Sequence, residues 1–233
     1  MGLNLYAKIE EYLDFDDEVA RLHGEFLSLI FEKGLNNILD VGCGQGSFIK
    51  NLNQNGLDCF GIDLSSEQIR IAKKNGIKNV SATSLANIKE KYDCTTAIFD
   101  VINYIPKNYI KTFFNEMNLV LNQGGYFIFD VNSHFGFEEV AQGTLNIDLE
   151  DKFIAIDANF EENKLITDIT LFSQNKNKLF SKENDCIIQH YYSNSELKTL
   201  LKNSGFEVEN ILNFNLHSDE ESDKFIFICK KSK

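Results

Sequence analysis

Three glycines stand close together in the segment Asp40–Gly46 (DVGCGQG), after a short apolar run and before an amphipathic one. Gly42, Gly44 and Gly46 let the backbone turn sharply and approach a bound molecule closely, because glycine has no side chain to clash. The first residues of the helix that follows offer N–H groups that have no partner within the helix. The spacing therefore predicts a ligand-binding loop between a strand and a helix.

Two kinds of ligand compete for such a loop, a dinucleotide and S-adenosylmethionine. A dinucleotide requires G-x-G-x-x-G, because its pyrophosphate rests on the helix N-terminus, whereas here the third glycine is at position 46 and position 47 is Ser. The acid Asp40 before the loop suits the cationic α-amino group of S-adenosylmethionine and would repel a pyrophosphate. The sequence therefore favours S-adenosylmethionine.

A second carboxylate, Asp63, ends the next apolar run. A carboxylate in this position can accept hydrogen bonds from both hydroxyls of a ribose, and Leu64 beside it could lie against an adenine. The structural alternative is an acid at a helix N-terminus, stabilised by the helix macrodipole. The glycine loop upstream favours the ribose-binding interpretation.

Short apolar runs alternate with helical segments over much of the chain, which predicts a parallel sheet with helices on both faces and right-handed crossovers. The predicted strands are Asn37–Val41, Asp58–Asp63, Asn79–Ala82, Thr95–Phe99 and Tyr126–Val131, followed after a gap by Phe206–Phe214 and Lys224–Cys229. Helices are predicted between them, among them Ser47–Gln54, a helix capped by Ser65, Ile110–Leu121 and Ser195–Asn203.

Residues 143–192 have a different pattern, with strands of alternating polarity separated by Asn, Lys and Glu turns, which is typical of an antiparallel sheet. We therefore predict three parts. Residues 1–35 form an N-terminal helical cover, residues 36–142 and 193–233 form the ligand-binding α/β core, and residues 143–192 form a β-rich insertion that contributes to the substrate pocket.

The segments ILDVGCGQGSF, GIDLS and LNQGGYFIFDVNS resemble the successive motifs of the class I S-adenosylmethionine-dependent methyltransferases. The resemblance implies a seven-stranded sheet with the seventh strand antiparallel, and the cofactor at the carboxyl ends of strands one, two and four. In one departure from the family, Ala82 stands where an acid usually follows the third strand. The implied cofactor-binding residues are Asp40, Gly42, Cys43, Gly44, Gly46, Asp63, Leu64, Thr83, Ser84 and Phe99. Backbone groups near Thr83, or the hydroxyl of Thr83 or Ser84, are the candidates that could replace the missing acid.

Methyl transfer from a sulfonium is an in-line displacement that depends mainly on positioning, so no catalytic acid or base is required. In the family, residues 99–105 and 130–133 border the methyl group. Asn103, Tyr104 and Asn132 are therefore acceptor-side candidates, although Tyr104 equally fits an aromatic residue packed on the sheet. His190, at the end of the insertion, is a candidate general base or simply a packed histidine. Tyr6 and Tyr12 belong to a segment that folds over the cofactor in similar enzymes.

The composition of the chain limits the kinds of partner that it can bind. The formal charge of −12 and a sequence pI of about 4.8 disfavour binding to a nucleic-acid backbone. The five cysteines form neither a disulfide framework nor a metal-ligand pattern, and no apolar run approaches the length of a membrane span. We expect a cytoplasmic enzyme with a small-molecule acceptor and no metal. A non-catalytic S-adenosylmethionine-binding module or partner subunit, and a tRNA or protein methyltransferase, remain alternatives, and nothing indicates an oligomeric state.

Overall fold

Eleven strands, β1 to β11 in chain order, form two sheets in the computed structural model, which describes residues 3–141, 143–216 and 221–232. Seven strands build one sheet in the order β3-β2-β1-β4-β5-β11-β10. Only β11 runs antiparallel to its neighbours, β5 and β10. The seven strands are β1 Asn37–Val41, β2 Asp58–Asp63, β3 Val80–Ala82, β4 Tyr92–Ala97, β5 Leu121–Asn132, β10 Phe206–Phe214 and β11 Lys224–Lys231.

The helices are named α1 to α8 in chain order, and serine caps begin several of them. The Ser65 hydroxyl accepts from the Gln68 backbone N–H at the start of α4, as the capping pattern predicts, and Ser133 and Ser193 cap α7 and α8 in the same way. The helices are α1 Leu3–Ile9, α2 Asp16–Glu32, α3 Ser47–Gln54, α4 Ser66–Lys74, α5 Val101–Tyr104, α6 Ile110–Val120, α7 His134–Val140 and α8 Asn194–Asn203, with short 3₁₀ turns at Glu10–Tyr12 and Leu85–Asn87.

The large sheet is buried on both faces, which is why its strands are almost continuously apolar. On β5, Phe127 and Phe129 belong to one hydrophobic cluster with Phe114 of α6. Ile128, between them, belongs to a second cluster with Phe26 of α2. Successive side chains of a strand point to opposite faces, so helices cover the sheet on both sides.

The second sheet is antiparallel and contains β6 Thr144–Asp148, β7 Lys152–Glu161, β8 Lys164–Gln174 and β9 Phe180–His190, in that order. One face packs against α1, where Leu5 and Ile9 meet Ile154, Ile169 and Ile187. The inserted sheet and α1 therefore stand together beside the carboxyl ends of the parallel strands.

The predicted architecture of a seven-stranded, mostly parallel sheet with helices on both faces and an antiparallel sheet after β5 is confirmed. The domain boundaries stay a prediction. The fourth strand was placed wrongly at Thr95–Phe99, since β4 ends at Ala97 and Phe99 and Asp100 adopt left-handed backbone angles, with φ of 61° and 65°. Helix α7 was not predicted.

Within the described residues, no helix combines the length and the apolar character that crossing a membrane requires.

Candidate active site

The glycine loop joins β1 to α3, and its three glycines all have positive φ, 77° at Gly42, 52° at Gly44 and 79° at Gly46. A Cβ atom on Gly42 would lie 2.6 Å from a methyl carbon of Val101. Side chains rarely adopt these angles, so both the conformation and the close packing require glycine. The loop is also fixed from behind, because the Gly42 and Cys43 N–H groups donate to the Ile62 carbonyl at 2.7 and 3.0 Å.

The Cys43 side chain faces the protein. Its Sγ packs against Gly61, where an added Cβ would lie 2.8 Å from the sulfur, and the residue is buried. Burial also raises the pKa of the thiol, so it stays protonated. Cys43 can therefore contribute to a ligand site only through its backbone.

The Asp63 carboxylate connects the glycine loop to the start of α4. Its Oδ2 accepts from the Gly44 N–H at 3.0 Å, and its Oδ1 accepts from the Ser65 N–H at 2.7 Å. Burial raises the pKa of Asp63, while these backbone hydrogen bonds oppose the shift. Leu64, beside it, leaves 63% of its surface exposed. Asp63 and Leu64, which the sequence predicts to bind a nucleoside, are thus adjacent, and the apolar Leu64 side chain is exposed to solvent.

Asp40 lies beneath the loop. It is 3% exposed, and its Oδ1 accepts a hydrogen bond from the Thr96 hydroxyl at 2.7 Å. Burial raises its pKa to about 7, with the Thr96 hydrogen bond opposing and the nearby Asp63 charge adding to the increase. The structure thus places Asp40 beneath the loop and not at its surface, and its role near a ligand ammonium stays a prediction.

Thr83 and Ser84 follow β3 and are both partly exposed. The Thr83 N–H donates to the Asp63 carbonyl at 3.0 Å, which places this turn beside β2. The Asn87 amide donates to both hydroxyl oxygens, at 3.2 and 3.1 Å. Each hydroxyl oxygen keeps a further lone pair, so either side chain can accept a hydrogen bond from an adenine amino group in place of an acid.

Residues 3–12, which we call the cover segment, lie across the glycine loop. The Gln45 amide donates to the Ala7 carbonyl at 3.2 Å and to the Glu10 carboxylate at 2.9 Å, and the Gln68 amide donates to the same Glu10 oxygen at 3.1 Å. Burial raises the pKa of Glu10, and the two amides oppose that shift. The sequence analysis did not predict these contacts of Glu10 and Gln68. The signal that could have indicated them is Gln45, a polar side chain within the glycine loop that can hydrogen-bond to a segment lying over it.

Tyr6 of the cover segment and Tyr104 of α5 are close enough to influence each other electrostatically. Both side chains are half-buried, and neither hydroxyl has a hydrogen-bond partner among the described residues. Burial raises the pKa of both hydroxyls, and the carboxylates of Glu10 and Asp100 add to the increase. The structure thus brings Tyr104 into the site beside Tyr6, and the hydroxyl of each tyrosine is unpaired among the described residues. Tyr12 packs against the same apolar cluster as Tyr6 and Tyr104, and the Lys152 ammonium lies 5.4 Å from the centroid of its ring.

Asn103 and Asn132 are buried, and the protein itself occupies their side chains. Asn103 donates to the His190 carbonyl at 2.9 Å and accepts from the Asn132 N–H at 3.0 Å. The Asn132 side-chain oxygen accepts from the Lys224 ammonium at 2.9 Å. Both residues were predicted to contact the acceptor, but these hydrogen bonds make them supports of the site wall.

The His190 imidazole is not brought to the site. Side chains alternate along β9, and Ile187 and Gln189 are buried while Ile188 is 47% exposed. His190 follows Ile188 on the outer face, opposite Lys164 in the register. Partial burial and then the cations Lys164 and Lys107 lower its pKa. Strand alternation thus places the ring on the face opposite Ile187 in this conformation, and a general base at His190 stays a prediction.

A buried lysine, which the sequence analysis also missed, stands behind the turn that follows β4. Lys224 pairs with Asp100 and with Asp130, the latter at 3.0 Å. Asp130 accepts from the Phe99 and Asp100 N–H groups at 2.7 and 3.3 Å and so holds the left-handed turn. Burial raises the pKa of Asp130, against the effect of Lys224. Burial alone would lower the pKa of Lys224, but the two carboxylates raise it above its usual value.

Comparison with known proteins gives matches to methyltransferases. The family model described as methyltransferase domain matches residues 9–211. The putative methyltransferase YqeM of Bacillus subtilis (strain 168) is 26% identical over 215 residues, which cover 87% of this chain and 86% of that protein.

Two solved structures share the fold. An S-adenosylmethionine-dependent methyltransferase from Clostridium acetobutylicum ATCC 824 has a TM-score of 0.78 and 22% identity, covering 98% of this chain and 97% of its own. The sugar N-methyltransferase KedS8 from Streptoalloteichus sp ATCC 53650 has a TM-score of 0.72 and 13% identity, covering 98% and 92%.

Proposed function

The chain belongs to the methyltransferase domain family of S-adenosylmethionine-dependent enzymes, and on that premise we propose that it transfers a methyl group to a nitrogen or oxygen atom of a small molecule. The observation that carries the proposal is the Asp63 carboxylate, held between the Gly44 and Ser65 N–H groups beside a loop of left-handed glycines. A carboxylate fixed at this position can turn its remaining lone pairs to a pair of ribose hydroxyls.

The residues present fit S-adenosylmethionine. Of the three loop glycines, Gly44 has an open Cβ position, so a ligand can approach the backbone closely there. The exposed Leu64 side chain offers an apolar surface for the adenine, and the hydroxyl oxygens of Thr83 and Ser84 offer acceptors for its amino group. Gln68 Oε1 is a buried acceptor without a partner among the described residues and lies 4.0 Å from the Cβ position of Gly44.

The bound cofactor supplies an electrophilic methyl group, and the chain supplies position and exclusion of water. The cover segment closes over the loop through Glu10, Gln45 and Gln68. The unpaired hydroxyls of Tyr6 and Tyr104 can hydrogen-bond to the acceptor and orient its lone pair. Holding the two reactants in a fixed orientation accounts for a large part of the rate in reactions of this kind, so no general base is required.

Three features support a small acceptor. The two tyrosine hydroxyls belong to side chains that pack against the apolar cluster of Ile154 and Ile169, so an acceptor that reaches them lies between the cover segment, α5 and the inserted sheet. The net charge of −12 opposes a nucleic-acid backbone. The same fold serves a sugar N-methyltransferase in KedS8. We further propose a cytoplasmic location, because the five cysteines are all free thiols.

Calorimetry with S-adenosylhomocysteine tests the cofactor site. We expect binding to weaken at least about tenfold in Asp63→Ala, because two ribose hydrogen bonds are lost. Asp58→Ala, at the exposed amino end of the same strand, is the matched control and should bind as the wild type does. Equal affinity of the Asp63→Ala variant and the wild type would reject the assignment. Transfer of labelled methyl to small amines or alcohols, in preference to tRNA, tests the acceptor class.

A further inference from the structure

Lys224 occupies an unusual place for a lysine. It is the first residue of β11, lies opposite Asn132 of β5, and is 2% exposed. Its ammonium has three partners, Asp100, Asp130 at 3.0 Å and Asn132 at 2.9 Å. Because an ammonium has three protons to donate, its hydrogen-bonding capacity is filled. We call Lys224, Asp100, Asp130 and Asn132 the Lys224 cluster.

The cluster carries more negative than positive charge, since it contains two carboxylates and one ammonium. Asp130 is fully buried and accepts from two backbone N–H groups, so it cannot face a ligand. The Asp100 side chain keeps 18% of its surface accessible. The surplus negative charge is therefore presented to the site through Asp100.

The position of Asp100 relative to the glycine loop follows from the strand order. β4 pairs directly with β1, and Val101, the next residue, packs against Gly42. The residues proposed to hold adenosine, Asp63 and Leu64 after β2 and Thr83 after β3, lie on the other side of β1. A ligand whose adenosine rests there must direct its amino-acid half, with the sulfonium, toward the side of Asp100.

We propose that Asp100, positioned by Lys224, provides negative potential at the sulfonium and makes the site favour the charged methyl donor over its neutral thioether product. The inference rests on the proposed cofactor site.

The geometry of the turn after β4 supports the proposal. Phe99 and Asp100 both have left-handed backbone angles, which non-glycine residues rarely adopt, and Asp130 accepts from the N–H groups of both residues. Such conformations persist where the surrounding structure enforces them and are concentrated at functional sites. The influence of Asp100 on the pKa of Tyr6 and Tyr104 agrees with a carboxylate that faces the site.

The test compares three ligands by calorimetry: S-adenosylmethionine, sinefungin, which carries an amine in place of the sulfonium, and neutral S-adenosylhomocysteine. In Asp100→Asn, which keeps an oxygen acceptor for Lys224, we expect the two cationic ligands to bind about tenfold more weakly, as a partly buried charge pair implies. S-adenosylhomocysteine should change less than about twofold. Asp58→Asn is the control, because it removes one carboxylate away from the site and shows the effect of the change in net charge alone. Equal changes for all three ligands, or no change for any, would overturn the proposal.

Lys224→Met tests separately whether Lys224 acts through Asp100. Removing the ammonium also removes the positive charge that offsets Asp100, so any change in the preference for cationic ligands should appear only while the Asp100 carboxylate is present. The double variant should therefore match Asp100→Asn, and a further change of preference in it would contradict action through Asp100. If Lys224→Met does not fold, the isosteric Asp100→Asn decides alone.

If Asp63→Ala weakens the binding of all three ligands while Asp100→Asn leaves the ratios of their affinities unchanged, this inference fails and the proposed function stands. If Asp63→Ala weakens none, the proposed function fails.

Discussion

The side-chain amide of Asn103 donates a hydrogen bond to the backbone carbonyl of His190, with 2.9 Å between nitrogen and oxygen. The Asn103 side-chain oxygen accepts from the N–H of Asn132. One buried side chain thereby connects the end of β5 with the end of β9, and so the parallel sheet with the inserted one. The relationship assigns Asn103 to the framework of the site.

Asn103→Ala should lower the free energy of unfolding by about 2–4 kcal/mol, because a buried carbonyl and a buried N–H both lose their partners. Urea unfolding measures the change, and hydrogen exchange should accelerate in β9. Asn122→Ala is the control, since Asn122 is exposed and its amide pairs with Asp93 at the surface. Similar losses in the two variants would remove Asn103 from the role of a connector.

Gly42→Ala should destabilise the protein by about 2–4 kcal/mol and abolish measurable S-adenosylhomocysteine binding, because alanine disfavours a φ of 77° and its Cβ would collide with Val101. Gly24→Ala should have the opposite sign, a gain of about 0.5–1 kcal/mol, since Gly24 lies within α2 with no atom near its Cβ position. Thermal unfolding and calorimetry of both variants provide the measurement. Restored stability in Gly42→Ala/Val101→Ala would identify the collision as the larger cause.

Asp40→Asn should change the pH dependence of stability. Burial raises the Asp40 pKa in the folded state to about 7 from 3.8, so the folded protein holds this proton more tightly than the unfolded chain. The wild type therefore loses stability relative to Asp40→Asn as the pH rises from about 4 to about 7, by at most about 4 kcal/mol. Unfolding curves at several pH values test this. A difference that stays constant with pH would contradict the raised pKa.

Gln45→Glu should loosen the cover segment, because a carboxylate would face Glu10 where an amide now donates to it. We expect faster amide exchange across residues 3–12 and faster release of S-adenosylhomocysteine, by about threefold to tenfold for a repulsion of about 1 kcal/mol. Stopped-flow binding and hydrogen exchange measure the two effects.

Adding Glu10→Gln to that variant exchanges the two groups and should restore both rates, since an amide again meets a carboxylate. A double variant that remains as loose as Gln45→Glu would show that the contact does not hold the segment.

Local sequence signals located the elements that depend on local chemistry. The bounds of β1, α3, β2 and β10 agree with prediction, because each element is a periodic apolar run that ends at a turn signal. The glycine loop and Asp63 were found in the same way, since a strand–loop–helix pattern and a fixed spacing require only nearby residues.

Features that depend on distant residues escaped prediction. The end of β4 is set by Asp130, 31 residues after Phe99, and the Asp100 partner Lys224 is 124 residues away. His190 was assigned to the site because it ends a strand, but its direction depends on the β8–β9 register. Asp40 was recognised as an acid before the loop, whereas its burial depends on Thr96 of a neighbouring strand.

The antiparallel strand β11 also sets the order in which the chain can assemble. It enters the sheet between β5 and β10 and is the last of the eleven described strands in the chain. During translation at about 5–20 residues per second, Asp130 precedes Lys224 by 94 residues, so the nascent chain carries its carboxylates without their cation for about 5–20 s. Until β11 leaves the ribosome and enters the sheet, the turn at Phe99 lacks its final support. A half-made chain therefore cannot capture the methyl donor in a finished site.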